Sequence, residues 1–383
     1  MNRYGELLNQ KIEKARDNVS YRIYLDTREI ILAMLNESKD IKTSVSQYWR
    51  EELAGFEYLF DASPLIIQKL REHSYHITGL YSYTYRRHHS HRSSPFRRKF
   101  RQLQLVDRKN LFIEESKALG GFGFDIDGSL INLDTLKFYE SLIAMDLGGV
   151  LDLFEQKRVQ NPVVLEIGAG WGGFAYQFKT LFPNTSYIII DLPQTLLFSI
   201  IYLKTLFPER RFFIFGEDGT SQLPADVRSY DFIFLPPYAM NLLTSTMQID
   251  LGINMVSFQE MTRRQVDIYA SSLAKINCPM IYSHNRNINP HNSELQTLSD
   301  ILEQYYLLEE IQVLGVPYTQ LEKTTQRKAG FQVKAKNWVT KLFEGRKTSE
   351  IPSPGYRHLV GKLAPKIVKK SRQPINKGKG MEP

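Results

Sequence analysis

The stretch Val163-Val-Leu-Glu-Ile-Gly-Ala-Gly-Trp-Gly-Gly-Phe-Ala175 decides the fold of this chain. The apolar residues around Glu166 predict a buried strand, and the glycines that follow predict a tight turn. From Phe174 onward, apolar residues recur at helical spacing. A turn without side chains at the carboxyl end of a parallel strand lets a ligand press against the backbone. The stretch therefore predicts a strand–turn–helix unit that holds a cofactor.

Two cofactor motifs fit these glycines. Gly168, Gly170 and Gly173 match the dinucleotide pattern G-x-G-x-x-G. Glu166 and Gly172, together with the first two of those glycines, match E-x-G-x-G-x-G, the first motif of class I S-adenosylmethionine (SAM) methyltransferases. A carboxylate beside the turn suits a cofactor with a cationic amino acid moiety, and it would repel a pyrophosphate. We therefore favour SAM and keep the dinucleotide as the alternative.

Two further predicted strands end in acids that fit a nucleoside. Residues 187–191 form an apolar strand, and Asp191 lies where the ribose hydroxyls of either cofactor need an acceptor. Residues 211–215 predict a third strand, which leads into Asp218 and Gly219. This acid resembles the methyltransferase contact with the adenine amino group. The predicted cofactor-binding residues are Glu166, Gly168, Ala169, Gly170, Gly172, Asp191, Leu192, Asp218 and Gly219.

Strands and helices alternate from Val163 onward, which is typical of a parallel sheet with crossover helices. Residues 230–235 predict a fourth strand and residues 279–283 a fifth. Residues 307–314 and 356–363 are predicted to close the sheet as antiparallel strands. The expected fold is α/β and Rossmann-like, that of class I methyltransferases, with a doubly wound, mainly parallel seven-stranded sheet.

Composition divides the chain into three parts. Residues 1–150 predict a mostly helical N-terminal region that closes over the acceptor, and residues 151–363 a methyltransferase domain. Residues 364–383 predict a basic disordered tail, since their Gly, Pro and Lys content argues against packing. No apolar run is long enough for a transmembrane helix, and the N-terminus has no apolar signal region. The single cysteine, Cys278, excludes an internal disulfide and suits a reducing compartment, so we expect a cytoplasmic protein.

The net charge of +8 is concentrated in two clusters. Residues 86–101 contain six arginines, one lysine, three histidines and no acid, and residues 357–379 contain eight Lys or Arg and no acid. Such clusters attract phosphate groups, nucleic acid or an acidic membrane surface. One hypothesis is that Arg86, Arg87 and Arg97 reach a diphosphate on a nucleotide- or lipid-linked sugar. The alternative is a solvated loop and tail.

Several segments together resemble the sugar O-methyltransferases that accompany bacterial polysaccharide biosynthesis. They include Glu166-Ile-Gly-Ala-Gly-Trp-Gly-Gly-Phe174 and Tyr282-Ser-His-Asn-Arg286, with residues 190–193, 254–261, 356–361 and, upstream, 46–49, 119–123 and 132–136. The resemblance covers most of residues 40–363. It implies SAM as the cofactor and a sugar, sugar-nucleotide or lipid-linked glycan as the acceptor.

Methylation of a sugar hydroxyl benefits from a general base. A base within hydrogen-bond reach contributes about 100- to 10,000-fold. His284, directly after the predicted fifth strand, is the first candidate. Glu260 is the second, although the spacing of Ser257 and Glu260 also fits a helix capping box. We predict no metal site, because His88-His-Ser-His91 lies among arginines that repel a cation. The predicted acceptor contacts are Tyr238, Asn254, Asn285 and Arg286.

Two other functions are kept as alternatives. Leu235-Pro-Pro-Tyr238 resembles the N/D-P-P-Y motif of adenine amino methyltransferases, and the basic clusters fit nucleic acid. Tyr238 would stack on a flipped base, but Leu235 cannot accept a hydrogen bond from the target amine, so nucleic acid is the less favoured acceptor. The second alternative is a catalytically inactive, methyltransferase-like module that docks on a glycan assembly complex.

Overall fold

The computed structural model describes residues 3–37, 46–155, 161–288, 292, 295, 297–314 and 355–365. The tail predicted at 364–383 lies almost wholly outside these residues.

One sheet dominates the described chain. A small antiparallel hairpin precedes it, formed by β1 (Phe124–Ile126) and β2 (Ser129–Ile131). The strands of the main sheet are β3 (Val163–Ile167), β4 (Ser186–Ile190), β5 (Phe212–Ile214), β6 (Phe232–Leu235), β7 (Leu251–Met255), β8 (Met280–Arg286), β9 (Tyr306–Ile311) and β10 (Tyr356–Leu363). Their order is β5-β6-β4-β3-β7-β8-β10-β9. Strand β10 is antiparallel to both of its neighbours, and the other pairings are parallel.

Helices cover the sheet and form most of the N-terminal region. They are α1 (Arg3–Arg16), α2 (Val19–Glu37), α3 (Gln47–Ala54), α4 (Pro64–Ile67), α5 (Tyr75–Thr78), α6 (Ser93–Val106), α7 (Leu133–Leu147), α8 (Asp152–Glu155), α9 (Gly173–Leu181), α10 (Pro193–Leu206), α11 (Arg263–Lys275) and α12 (Leu298–Leu302), with short 3₁₀ turns between them. Within the described ranges, every helix is too short or too polar to cross a membrane.

The predicted fold class is confirmed, but the strand count and the strand order differ from the prediction. The described residues place eight strands in the sheet, because β7 adds to the seven that were predicted, and β5, predicted as the third strand, lies at the edge outside β6. When β3 is counted as the first strand and β4 as the second, β6 is the third, because it pairs with β4, although the sequence predicted it as the fourth. The fourth strand is β7, which pairs with β3 on the side away from β4 and was not predicted. Gly252 and Asn254 in β7 are poor strand formers, so the sequence did not predict this strand, although all of its residues are buried.

The N-terminal region shares its core with the sheet. Helix α2 packs along α10, and α7 packs against α6, α9 and β10. A single cluster of buried apolar residues runs from Tyr24 in α2 to Val360 in β10. Helix α7 is buried over most of its length, from Asp134 to Met145. The boundary predicted near residue 150 is therefore not a boundary between two separate cores.

Candidate active site

A cavity of about 710 Å³ opens at the carboxyl edge of the parallel strands. This volume lies within the range of about 300–1,000 Å³ that is typical of small-ligand sites. The cavity floor comes from the turn after β3 and from the ends of β4 and β7. Ser46, Trp49, Ile77 and Thr78 from the N-terminal region line it as well. The site lies at the carboxyl ends of the strands, where ligands bind in open α/β sheets, and the helical region contributes part of its lining.

The turn after β3 has room only for glycine at two positions. Gly168 has φ +75°, and a Cβ there would lie 2.1 Å from the Ser257 hydroxyl oxygen. Gly170 has φ +59°, and a Cβ there would lie 2.8 Å from Cγ2 of Ile77. Both positive φ angles disfavour residues with side chains. The turn therefore presents bare backbone to the cavity, as the sequence predicted.

Asp191 follows β4 and is held in a fixed orientation. Its Oδ2 accepts a hydrogen bond from the backbone N–H of Gly170 at 2.7 Å. Its Oδ1 accepts from the Leu192 N–H at 2.7 Å and from the Thr195 hydroxyl at 2.6 Å. Burial raises the pKa of Asp191 to about 6, although these three hydrogen bonds act to lower it. A carboxylate has about four acceptor positions, so Asp191 can still accept a hydrogen bond from a ligand hydroxyl.

Glu166 in β3 is a buried carboxyl at the floor of the cavity. It is 1% exposed, and the Tyr187 hydroxyl donates a hydrogen bond to its Oε2 at 2.9 Å. Burial raises the pKa of Glu166 to about 8, and the Tyr187 hydrogen bond only partly opposes this effect. A positive charge close to Glu166 would therefore favour its ionised form.

Glu260 lies on the segment that follows β7 and also lines the cavity. The indole Nε1 of Trp49 donates a hydrogen bond to its Oε2 at 3.1 Å. Burial raises the pKa of Glu260 to about 8. The capping box that the sequence suggested at Ser257 and Glu260 forms instead at Thr262 and Gln265, ahead of α11. The side chain of Glu260 is therefore not used as a helix cap.

His284, the first candidate for the base, lies away from the cavity. It is fully buried inside β8, 3.1 Å from the Ser141 hydroxyl through Nδ1, and its ring stacks on His358 at 4.1 Å between centroids. Burial lowers the pKa of His284 well below its usual range, and His358 lowers it further. Strand β8 extends to Arg286, beyond its predicted end at 283, so His284 is an internal strand residue in the core. This position contradicts its assignment as the base.

Three predicted acceptor contacts also lie outside the cavity lining. Asn254 braces the turn after β7: its amide donates to the Ile167 carbonyl at 2.8 Å, and its oxygen accepts from the Phe258 N–H at 3.0 Å. Asn285 donates to that same oxygen at 2.9 Å. Arg286 lies over the Tyr356 ring at 4.8 Å. Tyr238 is the predicted acceptor contact that does line the cavity.

The cofactor predictions divide in the same way. Glu166, Gly168, Ala169, Gly170, Asp191 and Leu192 line the cavity. Asp218 and Gly219 do not, because they follow β5, which lies at the edge of the sheet. Gly172 does not line it either, and instead packs closely against Ser199 of α10. The structure therefore does not bring Asp218 into the cavity lining with the other predicted cofactor contacts.

The structure bears on two other predictions. Leu235-Pro-Pro-Tyr238 follows β6, which is the third strand, whereas an N/D-P-P-Y motif would follow the fourth strand. The arginines of the first basic cluster are absent from the cavity lining among the described residues. Arg97 pairs with Asp127, and Arg86 lies over Tyr83 at 5.2 Å. The side chain of Arg87 lies outside the described residues.

Several lining residues were not predicted from the sequence. Lys137 of α7 contributes an ammonium group, which pairs with Asp134 at 2.8 Å. Trp49 and Thr195 contact Glu260 and Asp191, respectively. The segment resembling the family at 46–49 contains Trp49, and the segment at 132–136 ends next to Lys137. Both were therefore visible in the sequence, but nothing there connected them with the glycine turn.

The cavity is acidic in composition. Glu37, Glu166, Asp191 and Glu260 line it, against Lys137 as the basic residue among the described lining. Burial raises the pKa of Glu166, Asp191 and Glu260. A cation that enters the cavity would act in the opposite direction and favour the ionised form of each carboxyl. The electrostatics therefore suit a cationic ligand and disfavour a pyrophosphate.

No family model matches the chain, and no curated protein matches it. Among solved structures, it is similar to phosphoethanolamine N-methyltransferase 2 of Haemonchus contortus in complex with SAM, at 13% identity and a TM-score of 0.33, over 62% of this chain and 60% of that one. It is also similar to WbdD with the kinase inhibitor LY294002, at 13% identity and TM-score 0.34, over 58% and 40%. A third is precorrin-6y C5,15-methyltransferase of Geobacter metallireducens, at 12% identity and TM-score 0.30, over 55% and 85%. Because these TM-scores are low, the fold assignment rests on the strand order of the sheet.

Proposed function

We propose that this chain is a SAM-dependent methyltransferase that acts on a sugar hydroxyl. The observation that carries the proposal is one cavity that combines the glycine turn, Asp191 and Glu260 at adjoining strand ends. Each of these has a separate task in methyl transfer from a nucleoside sulfonium. The sugar specificity rests on the resemblance of the sequence segments described above.

The residues present fit SAM. Asp191 would accept hydrogen bonds from the ribose hydroxyls, and the turn from Gly168 to Gly170 would hold the amino acid portion against backbone. Glu166 would balance positive charge, since a nearby cation favours its ionised form. Tyr238, after β6, would contact the adenine in place of Asp218. When bound, the cofactor supplies an electrophilic methyl group.

The acceptor side of the cavity suits a neutral hydroxyl. The carboxyls that line the cavity outnumber its lysine, so an anionic group would be poorly accommodated there. Glu260 would accept the proton of the acceptor hydroxyl and later return it to solvent, and the bound cofactor would supply the methyl group that replaces this proton. A diphosphate on the acceptor would remain outside the cavity.

The cofactor assignment is tested by calorimetric titration with S-adenosylhomocysteine, with NADH as a parallel titrant. We expect micromolar binding of S-adenosylhomocysteine to the wild type, at least a tenfold loss of affinity in Asp191→Ala, and no response to NADH. Binding of NADH alone would restore the dinucleotide interpretation. Binding of neither would favour an inactive docking module.

The assignment of the base is tested by methyl-transfer assays with SAM and a panel of nucleoside-diphosphate hexoses. On any hexose that is methylated, we expect Glu260→Gln to lower kcat by about 100-fold or more, with S-adenosylhomocysteine affinity within about threefold of wild type. His284→Gln is the control variant. Because His284 is buried in the core, this variant is expected to lose some folded protein, but kcat per folded molecule should stay near the wild-type value. The assignment fails if Glu260→Gln retains wild-type kcat.

A further inference from the structure

We infer that Trp49 is a positioning residue, which orients Glu260 and favours its ionised form. This inference rests on the proposed function, in which Glu260 is the general base. It starts from one contact: the indole Nε1 of Trp49 lies 3.1 Å from Oε2 of Glu260, and 211 positions in the sequence separate the two residues. Trp49 belongs to α3 in the N-terminal region, whereas Glu260 follows β7 of the sheet.

The direction of this hydrogen bond determines its effect. An indole N–H can only donate, so its partner must accept. A carboxylate accepts more strongly than a neutral carboxyl does, and a hydrogen bond to the charged form therefore favours ionisation. Burial acts in the opposite direction and raises the pKa of Glu260, while the Trp49 hydrogen bond lowers it. Without the indole N–H, Glu260 would remain protonated to a higher pH and would be less able to accept a proton.

The position of the indole is determined by the structure around the cavity. Helix α3 begins after Ser46, whose Oγ accepts from the Trp49 N–H at 3.5 Å. On the same helix, Glu52 contacts Nδ1 of His76 at 3.3 Å. The next residue along, Ile77, lies against Gly170 of the glycine turn. Helix α3 is therefore connected through α5 to the turn that would hold the cofactor.

This arrangement assembles the base from two distant parts of the chain. The sheet supplies the carboxyl, and the N-terminal region supplies the donor that orients it. Both Trp49 and Glu260 line the cavity, so their hydrogen bond lies at the surface where an acceptor would bind. Trp49 itself is not required to contact the reacting atoms, because it acts through Glu260.

The inference is tested by measuring the titration of Glu260 directly, with no acceptor needed. Infrared difference spectra of the full-length protein saturated with S-adenosylhomocysteine are recorded from pH 5 to pH 10. The carboxyl band of Glu260 is identified by its loss in Glu260→Gln. Trp49→Phe keeps an aromatic ring and removes the N–H donor. We expect this variant to shift the Glu260 titration upward by about one pH unit, the shift that corresponds to one hydrogen bond to a charged group.

Glu52→Gln provides a matched control on the same helix. The charge of Glu52 raises the pKa of Glu260, so removing that charge should shift the titration downward or leave it in place. An upward shift in Trp49→Phe that Glu52→Gln does not share supports a specific effect of the indole. Equal upward shifts in both would show that displacement of α3 is the cause, and they would overturn the inference.

The experiment separates the inference from the proposed function. If S-adenosylhomocysteine does not bind the wild type, the proposed function fails before Trp49 is tested. If it binds, and the Glu260 titration in Trp49→Phe is the same as in the wild type, the inference fails while the cofactor site stands. If Trp49→Phe shifts the titration upward and Glu52→Gln does not, the inference is supported.

Discussion

At the scale of a single residue, Glu166 shows how the fold sets the chemistry of a side chain. It lies in a strand whose residues are all buried, and the Tyr187 hydroxyl is its hydrogen-bond donor at 2.9 Å. Burial raises its pKa from 4.5 to about 8. The folded protein therefore binds a proton here that the unfolded chain releases between those two pH values. By linkage, this group's contribution to stability is complete below about pH 4.5 and is lost as the pH rises toward 8.

We predict that Glu166→Gln weakens the pH dependence of stability in the ligand-free protein. The free energy of unfolding of the wild type should fall between pH 5 and pH 8, with one such group contributing up to about 1.4 kcal/mol per pH unit. In Glu166→Gln the fall should be smaller. It should not vanish, because the pKa values of Asp191 and Glu260 are raised as well. Urea unfolding at pH 5, 6, 7 and 8 measures both slopes, and identical slopes would contradict the prediction.

At the scale of an element, the turn between β3 and α9 depends on glycine for space as well as for conformation. Gly168 has φ +75°, and a Cβ there would lie 2.1 Å from Ser257 Oγ and 2.5 Å from Ser257 Cβ. Gly219 has a similar φ of +72°, but nothing lies within 4 Å of its Cβ position. A substitution at either glycine therefore has a similar conformational cost, but only the substitution at Gly168 also causes a steric clash.

We predict that Gly168→Ala weakens the binding of S-adenosylhomocysteine by at least tenfold, because the clash with Ser257 must displace the turn. Gly219→Ala is the matched control. It should lose a similar amount of conformational energy, about 1 kcal/mol, and should bind as the wild type does. Calorimetric titration of both variants provides the comparison. An equal loss of affinity in both would show that Gly219 also contributes to the site.

At the scale of the whole molecule, a buried ionic cluster joins the N-terminal region to the glycine turn. The Arg71 guanidinium has no exposed surface, and it pairs with Glu115 at 2.8 Å and with Asp134 at 2.9 Å. Its face lies 3.7 Å from the ring centre of Trp171, inside the turn. Lys137 pairs with the other oxygen of Asp134 and also lines the cavity. The cluster thus links folding of the N-terminal region to the geometry of the site.

We predict that Arg71→Met lowers the free energy of unfolding by about 3–5 kcal/mol, because it leaves Glu115 and Asp134 buried without the Arg71 guanidinium. Arg97→Met is the matched control, since Arg97 pairs with Asp127 at the surface, and exposed pairs contribute about 1 kcal/mol or less. Urea unfolding at pH 7 measures both variants. Similar losses in the two would show that the buried cluster is not a special contributor to stability.

The fold class could be predicted from the sequence, and six of the nine predicted cofactor-binding residues line the cavity. The apolar residues of β3 and β4, the glycine turn and Asp191 lie within about thirty residues, and their roles follow from local conformation. Hydrophobic patterning extends over the chain and also predicted the closing antiparallel strands β9 and β10. The missed strand β7 contains Gly252 and Asn254, whose weak propensity is overridden in the structure by burial between β3 and β8.

The amino-acid sequence by itself determined the α/β class, the glycine turn and the acid after β4, because each depends on neighbours close along the chain. Only the tertiary structure decided which polar groups reach the cavity. Because β6 lies between β5 and β4, Asp218 after β5 lies away from the cavity. Because β8 extends to Arg286, His284 is an internal residue of that strand and lies in the core. The pairing of Trp49 with Glu260 joins elements 211 positions apart. Strand order and long-range contacts of this kind come from packing of the whole chain, which local patterns do not encode.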